Sequence, residues 1–232
     1  MREIPLNRSL FVFWEDVVFL ESALLASDET SALAAPVTDV LDQFPTILER
    51  HLGTRRTVIQ ASARGSVADA GIDGGIRELF SGVLHLVGQN RKAVEFTTLF
   101  NSHIGDVVRH ALRKQVEVGD ELVRKLGMKI YADDFRARYL GVLQPFLARG
   151  KSVIEEQRQA EVARVEGRLD VQGWKEEANA IRLSIYSQLL SLAAQTKRKK
   201  AWAEAFFVKP SRRGAVEQGG EEEDGSDESP EE

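Results

Sequence analysis

Apolar residues recur at intervals of three and four along most of this chain. The longest run marks one mostly apolar face of residues 76–97: Ile76, Phe80, Val83, Val87, Asn90, Val94 and Thr97. A helix places residues with this spacing on one side, so the run predicts a single helix of about 25 residues. Similar spacing elsewhere predicts an all-α protein, arranged as an antiparallel bundle of about six or seven helices.

Residues 9–27 are apolar enough to raise the question of a membrane span. Three acidic residues interrupt the segment, and its uninterrupted apolar runs fall short of the roughly 20 residues that a span needs. We therefore expect a core helix capped by Asn7 or Ser9, no signal peptide ahead of it, and no membrane contact. Its apolar face is wide enough to cover a partner, and Trp14 is expected to pack within the fold.

Residues 54–75 contain four glycines and three arginines, a composition that could favour a phosphate-binding loop. The glycine spacing matches neither of the two common nucleotide-binding patterns, and no strand pattern precedes it. The glycines also argue against a DNA-recognition helix. We expect a helix fragment followed by a mobile connection, after a helix that begins at Pro36 and is kinked or divided at Pro45.

Residues 91–126 combine helical apolar spacing with two of the four histidines. We expect one helix to end near Asn101 and a second helix to follow it. His103, Asp106 and His110 would share one side of that second helix. They point away from its apolar stripe, and the chain contains no Glu-x-x-His pattern, so we interpret them as a solvated face and predict no metal site.

A later helix is expected to end at Gly150. Residues 151–192 are the most coiled-coil-like stretch, with a sparse apolar stripe followed by a dense one. The sparse stripe consists of Ile154, Val162, Val165 and Leu169. We expect Asp170 or Gly173 to separate two helices of an αα-hairpin. The first half, residues 151–169, could project into solvent or pair with another copy of the chain.

Charge is divided unevenly along the 232 residues. The formal net charge is −5, and nine acidic residues with no basic one in residues 217–232 leave +4 on residues 1–216. Residues 210–232 are expected to be a disordered acidic tail, beyond a single domain over residues 1–209. The absence of cysteine excludes structural disulfides, cysteine-bound zinc, iron–sulfur clusters and thiol catalysis. It is compatible with the cytoplasmic location that we expect.

Basic and aromatic residues are interleaved in residues 197–213, which carry a net charge of +6. This composition could contact a nucleic acid or another polyanion through Lys197, Arg198, Lys199, Lys200, Trp202, Lys209, Arg212 and Arg213. A helix end whose aromatic residues dock on the bundle explains the same pattern, and we favour it over nucleic-acid binding and over a membrane-surface contact. The acidic tail could compete with an external polyanion for the cluster.

No set of polar residues has the spacing expected of a catalytic, cofactor or metal site. We therefore predict a non-enzymatic helical interaction or scaffold protein, without a cofactor, that self-associates or holds a protein partner. The wide apolar face of residues 9–27 and the segment of residues 151–169 would form the contacts. The alternative hypothesis is an accessory nucleic-acid-binding protein that uses residues 197–213 and is modulated by its acidic tail.

Overall fold

The computed structural model describes residues 3–101 and 104–208, apart from the side chain of Asp106. Within these residues the chain forms seven α-helices, one short 3₁₀ turn at Ser31–Leu33 and no strand. The helices are α1 (Leu10–Leu25), α2 (Ala35–Leu86), α3 (Val94–Leu99), α4 (Ile104–Val107), α5 (Leu112–Leu126), α6 (Asp133–Gln195) and α7 (Lys200–Glu204). The predicted all-α class is confirmed. The expected acidic tail, residues 210–232, lies outside the described residues.

The chain divides into two compact units, the first formed by Met1–Leu48 with Leu169–Glu232 and the second by Glu49–Arg168. Helices α2 and α6 contribute to both units, because the boundaries fall inside these helices. Each unit has an apolar core of its own. The expected single domain over residues 1–209 stays a prediction.

The core of the first unit combines side chains from α1, α2, α6 and the C-terminal segment. On α1 the buried apolar positions follow one helix face: Leu10, Phe13, Val17, Leu20 and Leu24. They join Val40 and Phe44 of α2, Trp174 and Ile185 of α6, and Ala203, Phe206 and Phe207. Ser9, one of the two expected caps, accepts a hydrogen bond from the Val12 N–H at 3.3 Å. Trp14 is 37% exposed, and its ring stacks 5.6 Å from that of Phe44.

The core of the second unit combines side chains from α2, α3, α5 and α6. Its buried members include Ile72, Ile76, Leu79, Val83, Phe96, Leu99, Val116, Leu122, Leu126, Leu143 and Leu147. Tyr131 belongs to this core, and its hydroxyl donates a hydrogen bond to the Glu95 carbonyl oxygen of α3 at 2.6 Å. Burial, followed by the nearby charge of Glu95, raises the pKa of the Tyr131 hydroxyl to about 12.

Pro45 lies inside α2 and does not divide that helix. Proline has no N–H, so the carbonyl of Leu41 loses its usual donor within the helix. One residue earlier, the Val40 carbonyl oxygen accepts a buried hydrogen bond from Trp174 Nε1 at 2.9 Å. The Trp174 ring also lies 5.3 Å from the Phe44 ring. Packing against α6 therefore supports α2 where proline weakens it.

Residues 54–75 are helical throughout, so the predicted helix fragment and mobile connection are wrong. The glycines that argued against a helix allow α6 to approach closely. A β-carbon on Gly71 would lie 2.5 Å from the Phe146 ring, and one on Gly75 would lie 2.9 Å from Leu143 Cδ2. Glycine weakens an isolated helix by about 1 kcal/mol relative to alanine. Close packing of the two helices outweighs that local preference.

Helix α2 ends at Leu86, so the predicted continuous helix over residues 76–97 is wrong. Gly88 has a left-handed φ of 57°, and the Gln89 N–H donates to the Leu84 carbonyl oxygen at 2.8 Å. This is the Schellman arrangement that ends many helices. The apolar spacing continues on both sides of the turn, which is why periodicity alone predicts one helix.

The predicted second helix of residues 91–126 is itself interrupted between α4 and α5. Ala111 is extended, with φ −60° and ψ 152°, and it precedes α5 without a side-chain cap. The buried Gln115 side chain holds the turn, because its Nε2 donates to the Val108 carbonyl oxygen at 3.1 Å. His110 therefore lies in a turn and not on a helix face, while His103 lies outside the described residues.

Helix α6 runs without interruption through Gly150, Asp170 and Gly173, so the predicted stop and the predicted αα-hairpin are wrong. A β-carbon on Gly150 would lie 2.8 Å from Val116 Cγ2 of α5. Glycine at this position admits a neighbouring helix and does not end its own. Sequence alone could not separate these two uses of glycine, because the neighbour comes from another part of the chain.

Two adjacent glycines of α2 allow the effect of close packing on stability to be separated from the effect of helix propensity. Gly75→Ala should lower the free energy of unfolding by about 1–3 kcal/mol, because the new β-carbon would crowd the fully buried Leu143 side chain. Gly74→Ala is the matched control: its β-carbon would meet nothing within 4 Å, so better helix propensity should raise the free energy of unfolding by about 1 kcal/mol. Urea unfolding followed by circular dichroism measures both changes. Equal effects of the two substitutions would contradict the close contact between α2 and α6.

Candidate functional site

Residues 49–68 of α2 and 153–168 of α6 pair within the second unit and form a two-helix arm. An ion pair joins the two helices, with Arg64 Nη1 2.6 Å from Glu156 Oε2. Most of the buried residues between them are small, namely Ala61, Gly65, Ala68, Ala160 and Gly167, and Val153 is buried at one end of the arm. Small residues let two helices approach closely, but they remove little apolar area from water.

The larger apolar side chains of the arm are exposed. Leu52 and Ile59 of α2 are 54% and 61% exposed, and Val162 and Val165 of α6 are 49% and 48% exposed. Leu52 and Ile59 stand seven residues apart, so they share one face of their helix. We call these four exposed residues, two on each helix, the arm face. The arm therefore has mostly small residues inside and several large apolar residues outside, which differs from the usual pattern for an isolated helix pair.

Charged residues beside the arm face differ between the two helices. Residues 50–68 of α2 contain four arginines and no acidic residue. On α6, Glu155 pairs with Arg158 at 2.7 Å and Glu161 pairs with Arg164 at 2.6 Å. The hydrogen bond from Arg158 lowers the pKa of Glu155 to about 2, and the hydrogen bond from Arg164 lowers the pKa of Glu161. These carboxylates therefore stay ionised at neutral pH.

A second apolar surface lies on α1 in the first unit. Phe11, Phe19 and Leu25 are all exposed there. The Phe11 ring meets the Phe44 ring edge to face, with ring centroids 6.2 Å apart. This surface corresponds to the wide apolar face that the sequence predicts for residues 9–27, and it is available to another molecule.

The turn after α6 positions the predicted basic cluster. Lys197 has a left-handed φ of 53°, and the Arg198 N–H donates to the Ala193 carbonyl oxygen at 2.8 Å. This is again a Schellman arrangement, here without glycine. The left-handed backbone disfavours lysine by roughly 1 kcal/mol. The turn is followed by the short helix α7, which brings aromatic residues onto the core of the first unit.

The aromatic residues of the cluster are packed in this core. Phe206 and Phe207 are buried, and Trp202 is half-buried with its ring 5.1 Å from that of Phe206. Phe207 meets the Tyr186 ring edge to face at 5.6 Å. These rings occupy the docked arrangement that the sequence favours. Phe206 and Phe207 are therefore not accessible for stacking against a nucleic-acid base.

The basic side chains of the cluster have different surroundings. Arg198 contacts both carboxylate oxygens of Glu29, at 2.6 and 3.1 Å, and its guanidinium lies 4.6 Å from the Trp202 ring centroid. Lys200 Nζ lies 3.3 Å from Glu204 Oε1. Of the remaining predicted contacts, Lys197 and Lys199 are exposed, and Lys209, Arg212 and Arg213 lie outside the described residues. Nucleic-acid binding by this cluster stays a prediction.

The histidine group of the sequence is not assembled on one helix face. His110 is exposed in the turn before α5, beside a surface cavity of about 320 Å³ that Lys114 and Glu117 also line. His103 and the side chain of Asp106 lie outside the described residues. Among side chains with described positions, no group of three or more His, Cys, Asp or Glu could hold a metal ion.

Sequence reasoning missed a buried polar group between α2 and α5. Gln115 is fully buried, and its Nε2 donates to Asp73 Oδ1 at 2.5 Å. Asp69 lies one helical turn before Asp73, and its Oδ1 is buried without a hydrogen bond within the described chain. Burial, assisted by the charge of Asp73, raises the pKa of Asp69. The sequence contains a sign of this polar group, because Asp69 and Asp73 stand four residues apart and so lie on the same side of a helix.

Sequence reasoning also missed a row of polar residues on α6 in the first unit. Lys175, Asn179 and Arg182 are nine-tenths or more buried. Each follows directly after an apolar position of the dense stripe, namely Trp174, Ala178 and Ile181. Their spacing of four and three residues places them along one side of α6. They hold the segment that precedes α1.

No protein-family model, curated protein or solved structure matches this chain. Function therefore rests on the geometry of the chain itself. In residues 3–101 and 104–208, no helix is both long enough and apolar enough to cross a membrane.

Asp69→Asn should stabilise the protein near pH 7. The folded state raises the pKa of Asp69, so ionisation opposes folding and stability falls as pH rises from the unfolded pKa of about 4 through the raised folded value. Asparagine cannot ionise, so the variant should melt at a higher temperature than the parent, and the difference should shrink as the pH is lowered toward about 4. Thermal unfolding across this pH range measures the change. Asp42→Asn, at an exposed position, is the control; an equal melting temperature of Asp69→Asn and parent at neutral pH would refute the assignment.

Proposed function

We propose that this chain is a non-enzymatic helical interaction protein that self-associates through the arm face. The observation that carries the proposal is the packing pattern of the arm, where Leu52, Ile59, Val162 and Val165 are exposed and mostly small residues fill the interior. Burial of apolar surface contributes about 25 cal/mol per Å². A second arm placed on this face would therefore stabilise both copies.

The charges beside the arm face favour a second copy as the occupant. The α2 side is basic over residues 50–68, whereas residues 153–168 of the α6 side combine four glutamates with three arginines. In a two-fold dimer the same patch faces itself in reverse order. Helix α2 of each copy can then lie against α6 of the other, which brings arginines near glutamates at the rim. Such rim contacts are weakened by salt.

A separate protein is the other possible occupant of the arm face, because an interaction protein can bind a different partner instead of a second copy of itself. The exposed α1 surface of Phe11, Phe19 and Leu25 offers such a partner a second place to bind. The two occupants predict different behaviour of the purified chain. Self-association makes the mass rise with concentration, whereas a separate partner leaves the purified chain at the mass of one copy.

The paired substitution Val162→Glu and Val165→Glu should abolish self-association, because burying a carboxylate without a partner costs several kcal/mol. Light scattering after size exclusion, over a wide range of concentration, measures the mass. The parent should approach twice the chain mass of 25.8 kDa at high concentration, and the variant should stay at one chain mass. Met128→Glu, an exposed apolar position between α5 and α6, is the matched control and should dimerise like the parent.

Two results would count against this proposal. A parent protein that keeps the mass of one copy at every concentration would rule out self-association and favour a separate partner. A Val162→Glu, Val165→Glu variant that still dimerises would place the contact away from the arm face.

A further inference from the structure

An irregular segment ahead of α1, the strap of residues 4–8, is held by α6 in the first unit. Asn179 makes two hydrogen bonds with the backbone of Ile4: its Oδ1 accepts from the N–H at 3.0 Å, and its Nδ2 donates to the carbonyl oxygen at 2.8 Å. Arg182 Nη1 donates to the same Asn179 Oδ1 at 3.0 Å. This bond fixes which side of the Asn179 amide faces each backbone group.

Lys175 holds the other end of the strap. Its Nζ donates to the carbonyl oxygens of Leu6 and Arg8, at 3.1 and 2.5 Å. The Arg8 N–H in turn donates to the Pro5 carbonyl oxygen at 3.0 Å and closes a turn. The Lys175 ammonium also lies 5.4 Å from the Phe13 ring centroid, and burial lowers its pKa. The Lys175 ammonium is thus placed to donate hydrogen bonds to backbone carbonyl oxygens.

These contacts recognise a backbone conformation and one side chain. An extended residue presents its N–H and its carbonyl on the same side, so a single amide side chain can bond both, as a neighbouring strand would. Pro5 disfavours a helical conformation at Ile4 and so prepares the extended form. The Ile4 side chain is 1% exposed within the core of the first unit. The segment that fits therefore has an extended apolar residue, followed by proline and a turn.

Most of the strap is exposed, and Ile4 is its one buried residue. Two nine-tenths-buried side chains of α6, Lys175 and Asn179, nevertheless bond its backbone, and a third, Arg182, holds Asn179. Burying polar groups is costly, and apolar packing alone could cover a core. Polar groups arranged in this way give specificity for a backbone shape.

We propose that residues 175–182 of α6 form a peptide-recognition site for a protein segment in which an extended apolar residue is followed by a turn that begins at proline. The strap occupies this site within its own chain, and a partner segment of the same chemistry binds by displacing it. A tethered strap competes at an effective concentration on the order of millimolar, so the site is closed to weak ligands. The proposal does not depend on the arm face.

The test uses the full chain and a fluorescein-labelled peptide with the sequence of residues 1–8. Ile4→Asp should release the strap, because a carboxylate is strongly disfavoured in the apolar pocket. Fluorescence anisotropy should then show peptide binding to Ile4→Asp and little binding to the parent. Adding Asn179→Ala to the Ile4→Asp background should weaken binding about tenfold or more, because both backbone hydrogen bonds are lost. A control peptide with aspartate in place of isoleucine should not bind.

A second route keeps the test decisive if Ile4→Asp does not fold. A specific protease site inserted between Arg8 and Ser9 allows the strap to be cut after the full chain has folded, and the labelled peptide should then exchange into the cut protein. A folded protein with a released or cut strap that binds no peptide overturns the proposal. Binding that is unchanged by Asn179→Ala, or shared by the aspartate control peptide, also overturns it.

Discussion

In the second unit, α2 and α6 approach each other so closely that two positions of α2 accommodate only glycine without displacing an α6 side chain. Gly71 and Gly75 of α2 face Phe146 and Leu143 of α6, with no room for a β-carbon. This close contact favours a helix in a stretch of α2 whose composition opposes one. In the arm, small residues such as Ala61, Ala160 and Gly167 also allow the two helices to approach closely, while several larger apolar residues remain exposed.

Periodicity was sufficient to predict the all-α class, but it assigned residues to one helix face correctly only where the helix is continuous. The buried face of α1 from Leu10 to Leu24 and the stripe of Val162 and Val165 were both readable in this way. Helix ends were not, because glycine ends α2 at Gly88 but admits a neighbour at Gly150. The difference lies in residues far along the chain. Spacing likewise shows that residues lie together on a surface, but not whether another helix covers them.

The first unit depends on a different kind of contact, between side chains of α6 and backbone groups distant in sequence. Trp174 bonds the Val40 carbonyl, while Lys175 and Asn179 bond the strap. A hydrogen bond of this kind contributes about 1 kcal/mol, but losing its partner leaves a buried polar group at a greater cost. These residues looked like ordinary polar positions beside an apolar stripe. Their role depends on a segment at the other end of the chain.

The close contacts of α2 with α6 also limit how this sequence can vary. A side chain at Gly75 would be destabilising while Leu143 keeps its own, and one at Gly71 would require Phe146 to shift. A change at one member of a pair becomes tolerable only after its partner has become smaller. Each pair therefore behaves as a single unit of variation, and related chains should show the two positions changing together. Exposed Gly74, between the two pairs, is free of this coupling.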